Sequence, residues 1–509
     1  MEYLENKGML QTEYPEGASA SQGEAVTDSI QRVTQVCTES AVRRIPTYWD
    51  EEVDVAVVGS GFAGLAAAAE AAGLGAKVVI FEKMSRYGGN SIRSGGGYCS
   101  WDSKLQLRKN LNLGDDTWEQ HMEDTLKGGD YYNIPELVEV MVKGAPDSLN
   151  WLIDAGAKIR ETLPRIGGHS AYRSHLEAHA AGRGFSDPIK KIALGRGAEI
   201  RLDTQVTFIW RKDAEGPVLG IETTAGEKKK NIKVNRALVL ASGGFSRDVE
   251  MRMALNPSLV PEYNCTNHNG ATGEIIRYAR AVGADTLHLE FIQLYPCAEP
   301  KKGIVDSFAL PPYSGTGYGL IYVSKLGKRF VNELDRRDVV SNAQIKLREK
   351  PTYAILNGEV FEKLATPKEE IRKGVAVGRI VEAESIIELA HKIGIPSNAL
   401  EDSVAKHNMY IRDGKDPEFN KPMTKNMVPI IEGPFYAIAQ WPAIHHCMGG
   451  LRIDSQARVI DIWGRPIPKL YAAGEVCGGV HGSNRLGGNA IPDCIVFGRI
   501  AGINAATEN

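Results

Sequence analysis

Residues 53–82 read VDVAVVGSGFAGLAAAAEAAGLGAKVVIFE. Three patterns follow one another there without a break. Val53–Val58 is a short, almost wholly apolar run, the pattern of a strand buried on both faces of a parallel sheet. Leu65–Gly73 is alanine-rich and reads as a helix. Lys77–Phe81 is a second apolar run, which completes a βαβ unit. The turn between strand and helix is Gly59-Ser60-Gly61-Phe62-Ala63-Gly64. Gly59 suits the tight turn, Gly61 lets the backbone approach a pyrophosphate, and Gly64 lets the helix pack close to the strand. Phe62 and Ala63 open the helix, whose N-terminal N–H groups and positive dipole end face the phosphates. Glu82 ends the second strand 23 residues after Gly59, where an acid accepts a hydrogen bond from a ribose hydroxyl. The glycines alone are a weak signal; the surrounding frame makes them a dinucleotide site.

Both NAD and FAD use such a turn. Lys83-Met-Ser-Arg-Tyr-Gly88-Gly89-Asn90-Ser91 favours FAD. An NAD domain has no use for a second glycine pair just beyond the acid, whereas in flavoproteins a backbone segment there runs along the flavin.

Similar strands recur far downstream. Val234–Ala241 ends in Ser242-Gly243-Gly244, and Lys469–Ala473 is followed by Gly474-Glu475. The expected fold is therefore α/β: a Rossmann-like FAD-binding domain over residues 51–290 and 446–509, interrupted by an α+β capping domain over 291–445. Within the insert, Leu320–Val323 and Lys328–Val331 flank Gly327 as a hairpin. Ser385 and Glu388 form a capping box for a helix ending at Gly394, and a second helix runs from 398 to 412. Residues 1–50 are polar, with a Gly/Ala/Ser-rich stretch from Gly17 to Ala25, and are expected to be poorly ordered.

The 509 residues are 43% hydrophobic and 24% charged, and 60 basic against 63 acidic residues leave a net charge of −3. This balance argues against a nucleic-acid or anionic-membrane partner. The dense basic run Lys228-Lys229-Lys230 reads as a solvated hairpin. No apolar stretch reaches the ~20 residues of a membrane span. No signal peptide is seen, so the cytoplasm is expected, or the periplasm if the chain is already processed. The seven cysteines are scattered, without C-x-x-C or C-x-x-C-H spacing. That argues against a disulfide framework, zinc, an iron–sulfur cluster or attached haem. No metal is expected.

Further blocks carry a family likeness: Asn267-His-Asn-Gly-Ala-Thr-Gly273, Gly327-Lys-Arg-Phe-Val-Asn-Glu333, His445-His446-Cys-Met-Gly-Gly450 and Gly482-Ser-Asn-Arg485-Leu-Gly-Gly-Asn489-Ala490-Ile491. With Gly59–Ser91 and Gly474-Glu475, they make residues 51–509 resemble the flavoprotein of soluble fumarate reductases and flavocytochrome c enzymes, relatives of the succinate dehydrogenase flavoprotein. The resemblance implies FAD-dependent reduction of an activated C=C bond, with hydride from flavin N5 and a proton from a capping-domain arginine. Motif matching puts that arginine at Arg337 and a carboxylate clamp at His445 and Arg485. Asp338 and Glu333 are the candidates to hold Arg337. Gly243, Gly273, Glu475, Asn489, Ala490 and Ile491 fall on the family's cofactor side.

Two segments depart from the family. A His-Pro-Thr segment that holds a second carboxylate is here Gln293-Leu-Tyr295-Pro296-Cys297. A Thr-Glu-x-x-Arg segment supplying the proton relay is here Pro312-Tyr313-Ser-Gly-Thr316. An unpaired carboxylate among aromatic residues is costly. The expected substrate is thus a 2-enoate with one carboxylate and a bulky, apolar or aromatic far end rather than fumarate. Tyr295, Tyr313, Thr316 and His446 are expected at its pocket, and Tyr313 or Tyr318 in a new relay. The residue at Ser91 is not histidine, which implies noncovalent FAD. Electrons then come from an external donor: reduced flavin, a cytochrome or a partner reductase. The alternatives are a true fumarate reductase or succinate dehydrogenase, a ketosteroid dehydrogenase-like enzyme, and a non-catalytic flavin carrier.

Overall fold

The computed structural model describes residues 43–179 and 181–508. The chain divides into units 1–47 and 48–509, and among the described residues every strand and helix belongs to the second unit. The expected extension, up to residue 42, lies outside the described residues.

The βαβ unit forms as its pattern requires. Strand Glu51–Val58 runs parallel to Val78–Phe81 on one side and to Lys228–Leu240 on the other. The sheet continues in parallel to Glu199–Arg201 beyond Phe81, and to Pro466–Ala472 beyond Lys228–Leu240. Strands from both ends of the chain thus share one sheet, the arrangement of an interrupted doubly wound domain. Helix Phe62–Gly73 is buried almost all round between this sheet and the terminal helix Ala490–Thr507. Small residues make that packing possible: a side chain at Gly498 or Gly502 would run into the Ala63 or Ala67 carbonyl. The three lysines begin strand Lys228–Leu240 at an exposed hairpin with Val218–Ala225.

A second, antiparallel sheet orders Ile292–Ala298, Phe435–Cys447, Thr352–Asn357 and Ile321–Val323, with Val381–Ala383 also on Phe435–Cys447. The hairpin expected around Gly327 is only partly formed. Ile321–Val323 pairs instead with Thr352–Asn357, and Lys328–Val331 contributes a single bridge, Val323 to Arg329. Ser385 caps the helix Ile386–Ile393 as expected, but Glu388 reaches back to the Glu384 N–H rather than to that of Ser385. Gly394 and Gly414 close their helices in the left-handed conformation.

Candidate functional site

The nucleotide cleft opens where the strand ends of the parallel sheet meet. Gly59 has φ +100°, and a side chain there would strike the Ala241 carbonyl. One on Gly64 would strike the Gly59 carbonyl. The helix N-cap, Gly61, offers no side-chain cap. Instead Ser91 Oγ accepts from the Phe62 N–H at 2.8 Å. Glu82 is buried, and its carboxylate accepts from Ser60 Oγ at 2.6 Å and from the Met84 N–H at 3.0 Å. Ser60, which composition alone would pass over, also receives the Gly88 N–H. Gly89, Asn90, Ser91, Gly243, Gly273 and Glu475 line the same cleft, as do Ala63 and Lys83. Lys83 pairs with Glu274 at 3.0 Å across it. Asn90 bridges the cleft, donating to Glu475 and accepting from the His268 N–H. Burial raises the Glu475 carboxyl to about 7. Side chains would not fit at Gly59 or Gly64, and an acid stands at the ribose position, so the cradle fits FAD.

A smaller cavity adjoins, lined by Gly95, Gly96, Gly97, Tyr295, Tyr313, Arg337, His445, Arg485, Ala490 and Ile491, with Ile166, Leu176, Val305 and Leu310 as apolar wall and Ser94, Ser174 and Ser314 as neutral polar lining. It brings together three residues from separate segments. Arg337 begins helix Arg337–Lys346, and its guanidinium lies over the rings of Tyr295, at 4.8 Å, and Tyr313, at 4.5 Å. Its Nη1 donates to Gln293 Oε1 at 3.1 Å. Gln293 Nε2 donates to Asn484 Oδ1 and to the Arg485 carbonyl, each at 2.7 Å. This one amide therefore ties Arg337 to the loop of Arg485. With arginine on one side and two oxygens on the other, its orientation is fixed by chemistry. Arg485 is buried, and burial beside Arg337 lowers it to about 9, still charged at neutral pH. His445 packs on Tyr295, ring centroids 4.9 Å apart, with Nδ1 2.7 Å from Thr266 Oγ1. Burial, then Arg337 and Arg485, push His445 well below its usual value, so it stands as a neutral hydrogen-bonding group.

Other placements differ from expectation. Glu333 does not hold Arg337; its carboxylate is taken by Arg329 and Lys421 in a buried cluster with Asp416. Asp338 pairs with Arg336. Thr316 is fully buried with its hydroxyl on the Tyr313 carbonyl, and Tyr318 packs on Tyr172 with its hydroxyl at Thr162. Neither lines the cavity. His446 does not line the cavity; it lies 3.7 Å from Glu475 and against the His481 ring, and the strand ladder is irregular at His445, between the pairs Gln293–His446 and Leu294–Ile444. Asn489 turns its amide to His121 and Thr125. Gly474 has φ +76° and turns the chain between Ala473 and Glu475, which line the cleft. Gln293 went unrecognised as a site residue, because a glutamine in a buried strand carries no local signal. Among the described residues, no group of three or more His, Cys, Asp or Glu is placed to hold a metal, and no helix is long and apolar enough to cross a membrane.

Comparison with known proteins bears on the family and the fold. Residues 54–491 match the model of the FAD binding domain family. The chain is 37% identical over 478 residues to urocanate reductase of Eggerthella lenta, covering 92% of this chain and 77% of that protein. It is 34% identical over 476 residues to the acrylate reductase flavoprotein subunit of Shewanella woodyi, covering 89% and 91%. A solved flavocytochrome c3 fumarate reductase, in its open conformation, superimposes with a TM-score of 0.70 at 30% identity, over 98% of this chain and 82% of that one. The chain belongs to the FAD binding domain family, alongside these flavin-dependent reductases.

Proposed function

We propose that the chain binds FAD noncovalently and reduces the C=C bond of an α,β-unsaturated carboxylate that carries one carboxylate and an apolar far end. The observation that carries this reading is the convergence of Arg337, His445 and Arg485 on one cavity whose remaining lining is uncharged. Residues 51–290 and 446–509 act as the FAD-binding domain and 291–445 as the cap, a division supported by the separate antiparallel sheet.

Gly59–Gly64, Glu82, Asn90, Ser91 and Glu475 would hold the cofactor. Bound FAD supplies hydride for the alkene carbon. The Arg485 fork takes the substrate carboxylate. Thr266 Oγ1, whose proton goes to Asn267 Oδ1 at 3.1 Å, lies 2.7 Å from His445 Nδ1 and holds the ring beside that carboxylate. Together they draw charge from the alkene and stabilise the developing carbanion. Arg337, held by Gln293 and two aromatic faces, delivers the proton. Beyond Arg337, Arg485 and His445 the lining carries no charge, so a second carboxylate would have only the proton-delivering Arg337 to pair with, which disfavours fumarate. Electrons come from an external donor.

A panel of fumarate, acrylate, crotonate and cinnamate, with reduced methyl viologen as donor, tests the reading. Cinnamate or crotonate should turn over faster than fumarate; fast fumarate with no arylacrylate turnover would sink it. Acid precipitation should leave the flavin in the supernatant, and flavin in the pellet would refute noncovalent binding.

A further inference from the structure

A buried hydrogen-bond chain runs behind the loop that carries Arg485. Arg173 is fully buried; its Nε and Nη2 donate to the two Asp116 oxygens at 2.9 and 2.7 Å, and its Nη1 to Asp124 at 2.7 Å. The same Nη1 lies 3.3 Å from His169 Nδ1. A guanidinium only donates, so His169 Nδ1 is the accepting nitrogen and the ring proton sits on Nε2. That Nε2–H donates to the Gly487 carbonyl at 2.8 Å. Burial, then Arg173, lower His169 to about 3, which keeps the ring neutral. Cys99 adds its S–H to the Gly487 carbonyl at 3.3 Å and its N–H to the Gly488 carbonyl at 2.9 Å. The far side of this peptide is closed as well: a side chain on Gly487 would strike the Tyr313 hydroxyl, and one on Gly488 would strike Cys99 Sγ.

Gln293 ties the loop at Asn484 and Arg485. His169 ties it two residues later, at the Gly487 carbonyl. We propose that His169 is a positioning residue for carboxylate binding: its Nε2–H, with the tautomer set by Arg173, fixes the Gly487 carbonyl and so the seat of Arg485. This rests on Arg485 being the carboxylate clamp. The chain Asp116–Arg173–His169–Gly487 then relays order rather than protons, because His169 neither lines the cavity nor changes charge.

The test uses the FAD-loaded enzyme, with cinnamate binding read from the flavin difference spectrum. His169→Phe should weaken binding by about tenfold or more, as a small misplacement of a binding group does. Flavin content and saturated kcat should change little, and His169→Gln, which keeps an N–H donor, should restore most of the affinity. In an Arg485→Ala background, His169→Phe should add nothing. Unchanged affinity in His169→Phe, or an equal loss in the Arg485→Ala background, would overturn the proposal. If Arg485→Ala alone leaves cinnamate affinity unchanged, the clamp reading itself fails. Should His169→Phe not load FAD, His169→Met is read by the same criteria.

Discussion

Gln293→Met is the perturbation that separates aim from presence at this site. Methionine keeps the volume of the buried glutamine and removes both ends of its amide. Lost at one end is the 3.1 Å bond from Arg337; lost at the other are two 2.7 Å bonds to Asn484 and to the Arg485 carbonyl. A bond to a charged group contributes roughly 1.5–3 kcal/mol and each of the two neutral ones about 0.5–1.5 kcal/mol, so the expected stability loss is about 2.5–6 kcal/mol. Arg337 keeps its two aromatic faces at 4.8 and 4.5 Å. Each buried cation–π contact is worth about 2 kcal/mol, so the guanidinium stays in the cavity but loses direction. A misplacement near 1 Å costs about 10²-fold in rate, or roughly 2.7 kcal/mol of barrier. The assay is anaerobic oxidation of reduced methyl viologen with the best substrate of the panel, alongside the flavin-to-protein ratio. The expected result is kcat/KM down about 10²-fold with the flavin ratio unchanged. A kcat/KM indistinguishable from wild type would refute the role assigned to Gln293.

Other perturbations act through single contacts. Gly64→Ala places a methyl against the Gly59 carbonyl, so the protein should lose flavin on gel filtration; retention at the wild-type ratio would show the turn is not the cradle. Thr266→Val removes the hydroxyl 2.7 Å from His445 Nδ1, and KM should rise about five- to tenfold with kcat little changed; an unchanged KM would discount the hold of Thr266 on His445. The ligand-free protein should be acid-labile. Burial, chiefly, lowers His169 and His407 to about 3 and His175 to about 4, and His121, His445 and His446 are also lowered. The unfolded chain takes up protons near ~6.5 that the folded chain refuses. Their stabilisation is therefore present above that pH and lost as pH falls toward the folded values. Glu475, raised to about 7 by burial, acts in the opposite sense, but it is one group against these histidines. Tm should drop between pH 7 and pH 5, and a flat or rising Tm would contradict this balance.

The strand, turn and helix of Val53–Phe81 were legible because every residue needed to form them lies within one short window. The placement of Arg337, His445 and Arg485 was not legible from pattern, since they come from a helix start, a strand end and a glycine loop; only family resemblance put them in one cavity. Where sequence proximity substituted for geometry, it misled. Glu333 lies four residues before Arg337, yet it is also four residues after Arg329, and the chain turns its carboxylate to that partner. His445 and His446 are neighbours in sequence, but at an irregularity in the strand ladder one lines the cavity and the other lies against Glu475. Gln293 and His169 act through partners 192 and 318 residues away, at Arg485 and Gly487. No periodicity reports such pairs; only the folded loop shows that both grip it.

The most direct measurement is a single turnover. The FAD-loaded enzyme, photoreduced and mixed anaerobically with cinnamate in a stopped-flow instrument, is followed by return of the oxidised flavin band and by product analysis. The account predicts reoxidation with one equivalent of saturated acid formed, abolished in Arg337→Met. A flavin that stays reduced with the wild-type protein, or reoxidises equally well in Arg337→Met, would contradict it.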